Sequence, residues 1–323
     1  MFWLASFIMR RPLNAVLVAS VFAVLSIVIP PFSLLSGAAV SLVVLRLGIG
    51  MGAKVMLGAG LVVAIIAFVG TGGTASAIAG FVLMAMAVTW LPLLLLSWVL
   101  YETRSLSITM IVAAILAMAA VVVMYLLVGD TSLWWRQALD KTFVMTAAGA
   151  NLPLSPEDLG RALDALSQVM TGLLGATLLL SLIGSVFLAR WWQSLLYNRG
   201  GFRSEFLALR LDYRLSIIVL LVLSLMLITN GIWAQLAGDL LIVLLALYML
   251  VGLALVHSLV ALTGAHVAIL FALYLLLAFL LPQMMIFLAA AGYIDSWLNL
   301  RVRVGAQGKN SNDKSGDNGG DDE

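Results

Sequence analysis

The side chains in this 323-residue chain best suited to chemistry are arginines. Between positions 190 and 214 stand Arg190, Arg199, Arg203, Arg210 and Arg214, with only Glu205 and Asp212 beside them, in a chain that is 10% charged. A guanidinium presents a planar fork of N–H donors that matches phosphate or carboxylate oxygens. Arg199, Arg203, Arg210 and Arg214 are therefore candidate ligands for an anion or an acidic partner surface. Other chemistry is thinly represented. His257 and His266 lie nine residues apart, about 180° out of phase on a continuous helix. No cysteine or adjacent carboxylate completes a metal set with them. The patterns GxSxG, HExxH and GxxxxGK[ST] do not occur. No enzymatic activity, metal, cofactor or nucleic-acid partner is expected.

Composition sets the elements that must carry the arginines. The chain is 63% hydrophobic with a mean hydropathy of +1.15, whereas soluble domains are about 45–50% apolar and about 25% charged. An all-α, polytopic transmembrane helical bundle is the expected fold. A transmembrane barrel is ruled out, because its strands alternate apolar and polar residues while these segments run almost unbroken in Leu, Val, Ala and Ile. With no cysteine the chain has no disulfides or thiolate chemistry, and its compartment is not fixed by that.

The apolar runs predict ten spans, with short hairpins at both ends. The opening "MFWLASFIMRRP" reads as an interfacial anchor, Phe2 and Trp3 at headgroup level and Arg10 and Arg11 on the cytoplasmic side. Residues 13–29 and 32–47 form a hairpin around Pro30-Pro31, since one helix over both would be roughly 52 Å long against a hydrocarbon core of about 30 Å. Spans follow at 53–70, 75–100, 107–128, 167–189, 215–233 and 239–262, with "GTGGT" at 70–74 as a turn. The stretch 266–299 splits at Pro282 into 266–281 and 284–299.

Charge orients the spans. Loop 129–166 carries three cations against five acids, and segment 190–214 five cations against two acids. The positive-inside rule then makes 129–166 extracytoplasmic and 190–214 a cytoplasmic, interfacial segment, in a bacterial inner membrane with both termini inside. Residues 1–303 form the transmembrane helical domain, and the acidic Gly/Asn/Asp-rich tail 304–323 is expected to be disordered.

On one continuous helix, Phe202, Phe206, Leu209 and Tyr213 would fall in a stripe, with Arg203, Arg210 and Arg214 beside it. Such a helix would lie along anionic headgroups, broken from the preceding span by Gly200-Gly201. Loop 129–166 places Trp134 and Trp135 at the outer interface. It then starts a helix with Ser155 as cap, Pro156 first, and Glu157 and Asp158 in the first turn. Leu159, Leu163 and Leu166 are that helix's expected apolar face. No ionisable residue is expected mid-span: Asp239 and Asp295 fall at predicted span ends. Asp295 and Arg301, six apart, would need a bend to pair; an arginine of a neighbouring helix is the favoured partner for Asp295.

The pattern "NRGGFRSEFLALRLD", followed by a terminal "GYIDSWLNLR", resembles the YybS-like family of bacterial membrane proteins, a domain of unknown function. The resemblance marks Gly200, Gly201, Phe202, Phe206, Asp295 and Arg301 as motif positions without known roles. It implies a multi-span cytoplasmic-membrane protein, loosely similar to the substrate-binding components of energy-coupling-factor vitamin transporters, which usually have six spans. In those components a small-residue stripe on the first helix faces a membrane-embedded coupling subunit. Here Ala15, Ala19 and Ala23 make such a stripe, which serves equally for packing inside the chain. Two functions are open: a permease-like or solute-binding component with a cavity under loop 129–166, or a non-transporting scaffold that recruits partner proteins through its arginines.

Overall fold

The computed structural model describes residues 1–70, 76–147 and 155–304. The chain is an all-α helical bundle, with no strand among the described residues. Among the described residues, five helical segments are long and apolar enough to cross a membrane: Ile49–Gly70, Met86–Thr103, Leu106–Val128, Glu157–Tyr197 and Ile232–Thr263. Four shorter apolar helices accompany them. The tail, the "GTGGT" turn and part of loop 129–166 lie outside the described residues.

Two compact units divide the chain. The first holds Met1–Ala120 and Leu174–Ser204. It opens with α1 (Phe2–Arg10) and α2 (Pro12–Leu25), separated by Arg11 in extended geometry, φ −149° and ψ 146°. The ring of Pro12 imposes that geometry on its predecessor and then serves as the first helical residue. The expected hairpin forms: α2 ends before Pro30-Pro31, and α3 (Phe32–Leu47) returns against it. Residues Ser36–Leu45 are buried all round α3, as an apolar helix without a polar face must be at the centre of a unit. Around it pack α2, α4 (Ile49–Gly70) and α5 (Ser76–Thr103).

Small residues set these approaches. Ala15, Ala19 and Ala23 are all buried, and the Ser36 hydroxyl donates across the hairpin to the Ala19 carbonyl at 2.8 Å. The alanine stripe is thus occupied inside the chain.

The second unit holds Val121–Leu173 and the chain from Glu205. Its boundaries fall within α6 (Leu106–Val128) and α8 (Pro156–Tyr197), and between Ser204 and Glu205 of the short α9 (Gly201–Leu207). The 42-residue α8 runs from the loop helix straight into the span. Its expected cap is present: Ser155 Oγ accepts from Asp158 N at 3.1 Å and donates to Asp158 Oδ2 at 2.6 Å. The apolar face is corrected in one position. Leu163 is buried but Leu166 is exposed, and Ser167, one turn beyond Leu163, takes the inward place.

Within this unit α11 (Ile232–Thr263) packs along α13 (Leu281–Leu298), with α10 (Tyr213–Ile228) and α12 (Ala268–Phe279) beside them. The terminal hairpin splits as expected: Leu280 leaves helical geometry and Pro282 sits in the first turn of α13. The helix α7 (Thr131–Ala147) covers the start of the loop, and Trp135 Nε1 donates to Thr171 Oγ1 of α8 at 3.0 Å.

Candidate functional site

Asp239 is the most informative polar side chain of the second unit. It lies two turns into α11, a helix of spanning length, and is 2% exposed. The expectation that no ionisable residue lies within a span is therefore corrected. In the sequence the charge marks a border of the apolar run, whereas α11 starts at Ile232 and carries the carboxylate two turns into the helix.

Two neutral donors hold it. The Tyr125 hydroxyl of α6 donates to Oδ2 at 2.6 Å, and the backbone N–H of Gly172 on α8 donates to Oδ1 at 2.9 Å. Gly172 is required for that approach: a Cβ there would come 2.8 Å from Oδ1 and 2.9 Å from the Asp239 Cα. No ion pair reaches Asp239 among the described residues.

A cavity of about 690 Å³ opens beside this carboxylate. Its polar wall is Asp130, Ser132, Gln168, Gln235 and Asp239, and its apolar wall includes Met226, Ile242 and Leu245. The residues come from the α6–α7 turn, the N-terminal part of α8, the end of α10 and the start of α11, so the cavity lies beside the ends of segment 129–166. The Gln235 amide nitrogen is buried without a hydrogen-bond partner. A second cavity, of about 450 Å³ in the first unit, differs in kind. Its Ser26, Ser33, Ser36 and Ser185 hydroxyls already donate to backbone carbonyls, and it carries no charge.

The arginine segment departs from the single interfacial helix expected for it. α9 ends at Leu207, residues 208–212 are not helical, and α10 begins at Tyr213. Leu209 and Leu211 turn inward and are buried, and Asp212 caps α10 by accepting from Arg214 N at 2.8 Å. Phe202, Phe206, Leu209 and Tyr213 consequently do not form one stripe. Phe202 meets Phe187, and Phe206 meets His257. Arg199, Arg203 and Arg214 are exposed. Gly200 adopts φ +88°, and Gly201 starts α9 against the Asn198 side chain, so this glycine pair makes the expected break.

Arg210 joins a different group. Its Nε lies 3.8 Å from Asp295 Oδ2, and Arg301 Nε lies 3.4 Å from the same oxygen. The bend needed for the Arg301 pair is present, because Asn299 at φ +54° turns the chain after α13 and brings Arg301 back, while the second arginine, Arg210, comes from the non-helical segment between α9 and α10 rather than from a neighbouring helix. Arg301 is 8% exposed and also donates to the Leu207 carbonyl, which the end of α9 leaves free. Burial lowers the pKa of this guanidinium and the Asp295 charge opposes the shift.

The histidines have separate partners. His257 Nδ1 lies 2.8 Å from the Leu253 carbonyl and must donate, so Nε2 accepts from the Tyr274 hydroxyl at 3.1 Å. His266 Nδ1 accepts from Ala268 N at the start of α12. No group of three metal-ligating side chains occurs among the described residues.

These features define a class: a polytopic helical membrane protein with a buried carboxylate at the wall of a cavity. No protein-family model, curated protein or solved structure matches the chain.

Proposed function

We propose that the chain is a permease-like, solute-binding component of a transport system in a bacterial cytoplasmic membrane, with the cavity at Asp239 as its site. The observation that carries this reading is the buried carboxylate of α11 at the wall of an approximately 690 Å³ cavity. Solute sites are concave, mostly apolar and supplied with a few oriented polar groups, and ionisable residues persist within membranes where a pathway or ligand uses them. The resemblance of the arginine and terminal motifs to the YybS-like family supports the same class. A thermal-shift screen on the purified protein in detergent tests it. Saturable stabilisation by a small solute, abolished when Gly238→Leu fills the cavity, is the expected result. Co-purification of a membrane partner with no response to any solute overturns it.

That overturning outcome belongs to the second reading, a scaffold working through its arginine-rich surface. Arg46, Arg104 and Arg190 line a polar cleft of about 610 Å³ in the first unit, and Arg46 stacks over the Tyr197 ring at 4.3 Å. Such a surface suits lipid phosphates or acidic partner residues. Cysteine labelling at position 203 from the inner side supports the orientation both readings need; labelling from the outside overturns it.

A further inference from the structure

We propose that the Asp239 cavity takes an organic ammonium cation, an amine with an apolar body. This rests on the solute-binding reading and names the class of solute.

The first argument is the choice of side chain. Among the described residues, Asp239 receives bonds only from a tyrosine hydroxyl and a backbone N–H, both neutral donors. An asparagine would keep both contacts without bringing a charge into the bilayer, its oxygen accepting from the Gly172 N–H and its amide NH2 donating to the Tyr125 hydroxyl oxygen. Removing a carboxylate from water costs several kcal/mol when no cation accompanies it. A residue that only stapled α6 and α8 to α11 would be better as an amide. The charge has a use only if a positive group arrives.

The second argument is the wall around it. Two carboxylates, Asp239 at depth and the exposed Asp130 at the α6–α7 turn, line the cavity together with Ser132, Gln168 and Gln235. Among the described residues, no lysine, arginine or histidine does. Each Asp239 oxygen accepts one bond and keeps a free lone-pair site. An ammonium N–H donates to these, and the charge-assisted bond neutralises the buried anion. The two existing bonds hold the carboxylate in place beforehand.

The third argument separates an amine from a bare metal ion. A divalent cation needs six or more oxygen ligands or a tetrahedral donor set, and no group of three His, Cys, Asp or Glu side chains is found among the described residues. The remaining wall, Met226, Ile232, Leu241, Ile242 and Leu245, is apolar. It gives an inorganic ion nothing and accommodates a hydrocarbon body, with Met226 able to adapt to its shape. A volume of about 690 Å³ lies in the range occupied by drug-sized ligands.

The test compares amines with alcohols of the same shape on the full-length protein in detergent. Cyclohexylamine, phenethylamine and tryptamine are set against cyclohexanol, phenethyl alcohol and tryptophol, with the melting temperature followed across a concentration series. At least one amine is expected to stabilise saturably, with roughly tenfold or more tighter apparent affinity than its alcohol, the scale of one charge-assisted bond. Asp239→Asn is expected to remove the advantage of amine over alcohol, and Asp130→Asn to weaken it a few-fold. The amine and alcohol comparison on the unaltered protein decides the matter even if Asp239→Asn does not fold. Amines that fail to bind, or bind no better than their alcohols, overturn the proposal. So does an undiminished amine preference in a folded Asp239→Asn protein. Stabilisation by neutral solutes alone, lost in Gly238→Leu, overturns the ammonium class and leaves solute binding intact.

Discussion

Gly292 of α13 stands directly on Gly252 of α11: a Cβ at 292 would come 2.7 Å from the Gly252 nitrogen and 2.5 Å from the Tyr248 carbonyl oxygen. A Cβ at 252 would in turn overlap the Leu288 backbone. In lipid, helices gain little from hiding apolar surface, so close backbone approach at small residues holds them together. Gly252→Ala and Gly292→Ala are each expected to destabilise the protein by about 1–3 kcal/mol, because backbone rather than a movable side chain blocks the added methyl. Gly238→Ala on the same helix is the contrasting case. Its nearest neighbour is the Met226 sulfur at 3.9 Å, and the substitution is expected to stabilise by about 0.5–1 kcal/mol through helix propensity. Unfolding in micelles reads both signs, and equal effects at 238 and 252 would refute the packing argument.

The Tyr125–Asp239 bond makes a second prediction. Tyr125→Phe leaves Oδ2 of a buried carboxylate without its donor, at an expected cost of about 1–3 kcal/mol. Asp239→Asn removes the charge that the phenol was answering. In a double-mutant cycle the two changes are expected to be non-additive by about 0.5–3 kcal/mol, the coupling typical of residues in direct contact. Additive melting shifts would mean that the phenol and the carboxylate do not act on each other.

A third prediction concerns Asp295, the only carboxylate within salt-bridge distance of Arg301 among the described residues, and the half-buried Arg210 also leans on it. Removing it strands a guanidinium that is 8% exposed. Asp295→Ala is expected to cost about 3–5 kcal/mol, and Asp295→Ala with Arg301→Met to cost less than the single change, since breaking a buried pair is worse than replacing it whole. Melting temperatures of the three proteins decide it; a double variant weaker than Asp295→Ala alone contradicts the account.

The helices were legible in the sequence because lipid solvation imposes long apolar runs, and prolines 30, 31 and 282 mark where those runs turn. Each of the ten expected apolar segments contains a helix, but 13–29 stops being helical after Leu25 and 215–233 breaks after Ile228. The Asp239 site was not legible, for a physical reason: a lone acid at the edge of an apolar run looks like a loop residue until the helix start is known. The informative signal is that "GIWAQLAG" before it contains nothing that stops a helix after Gly231. Similarly, a 3.6-residue period puts Arg203, Arg210 and Arg214 on one helix, yet periodicity says nothing of Leu209 and Leu211 leaving the helix to become buried. Tertiary burial outweighed local propensity there.

Asp130 gives the prediction with a pH signature. It precedes α7 and accepts from Leu133 N at 3.0 Å and from the Ser132 hydroxyl at 2.7 Å. The Leu133 bond first, and the Ser132 bond after it, hold the carboxyl below its ordinary value. A depressed acid stabilises the fold above its unfolded pKa, near 3.9, and that contribution is lost as pH falls through the lower folded value. At neutral pH, Asp130→Ala is expected to cost about 1 kcal/mol, the usual worth of an N-cap. The deficit should shrink below about pH 4 as the native carboxyl also takes up its proton. Asp130→Asn keeps an acceptor that does not titrate, so its difference from Asp130→Ala should stay flat across the same range. Melting curves of the three proteins from pH 7 to pH 3 are the measurement. Parallel curves for the native and alanine proteins throughout would show that the carboxylate at position 130 does not cap α7 as an ion.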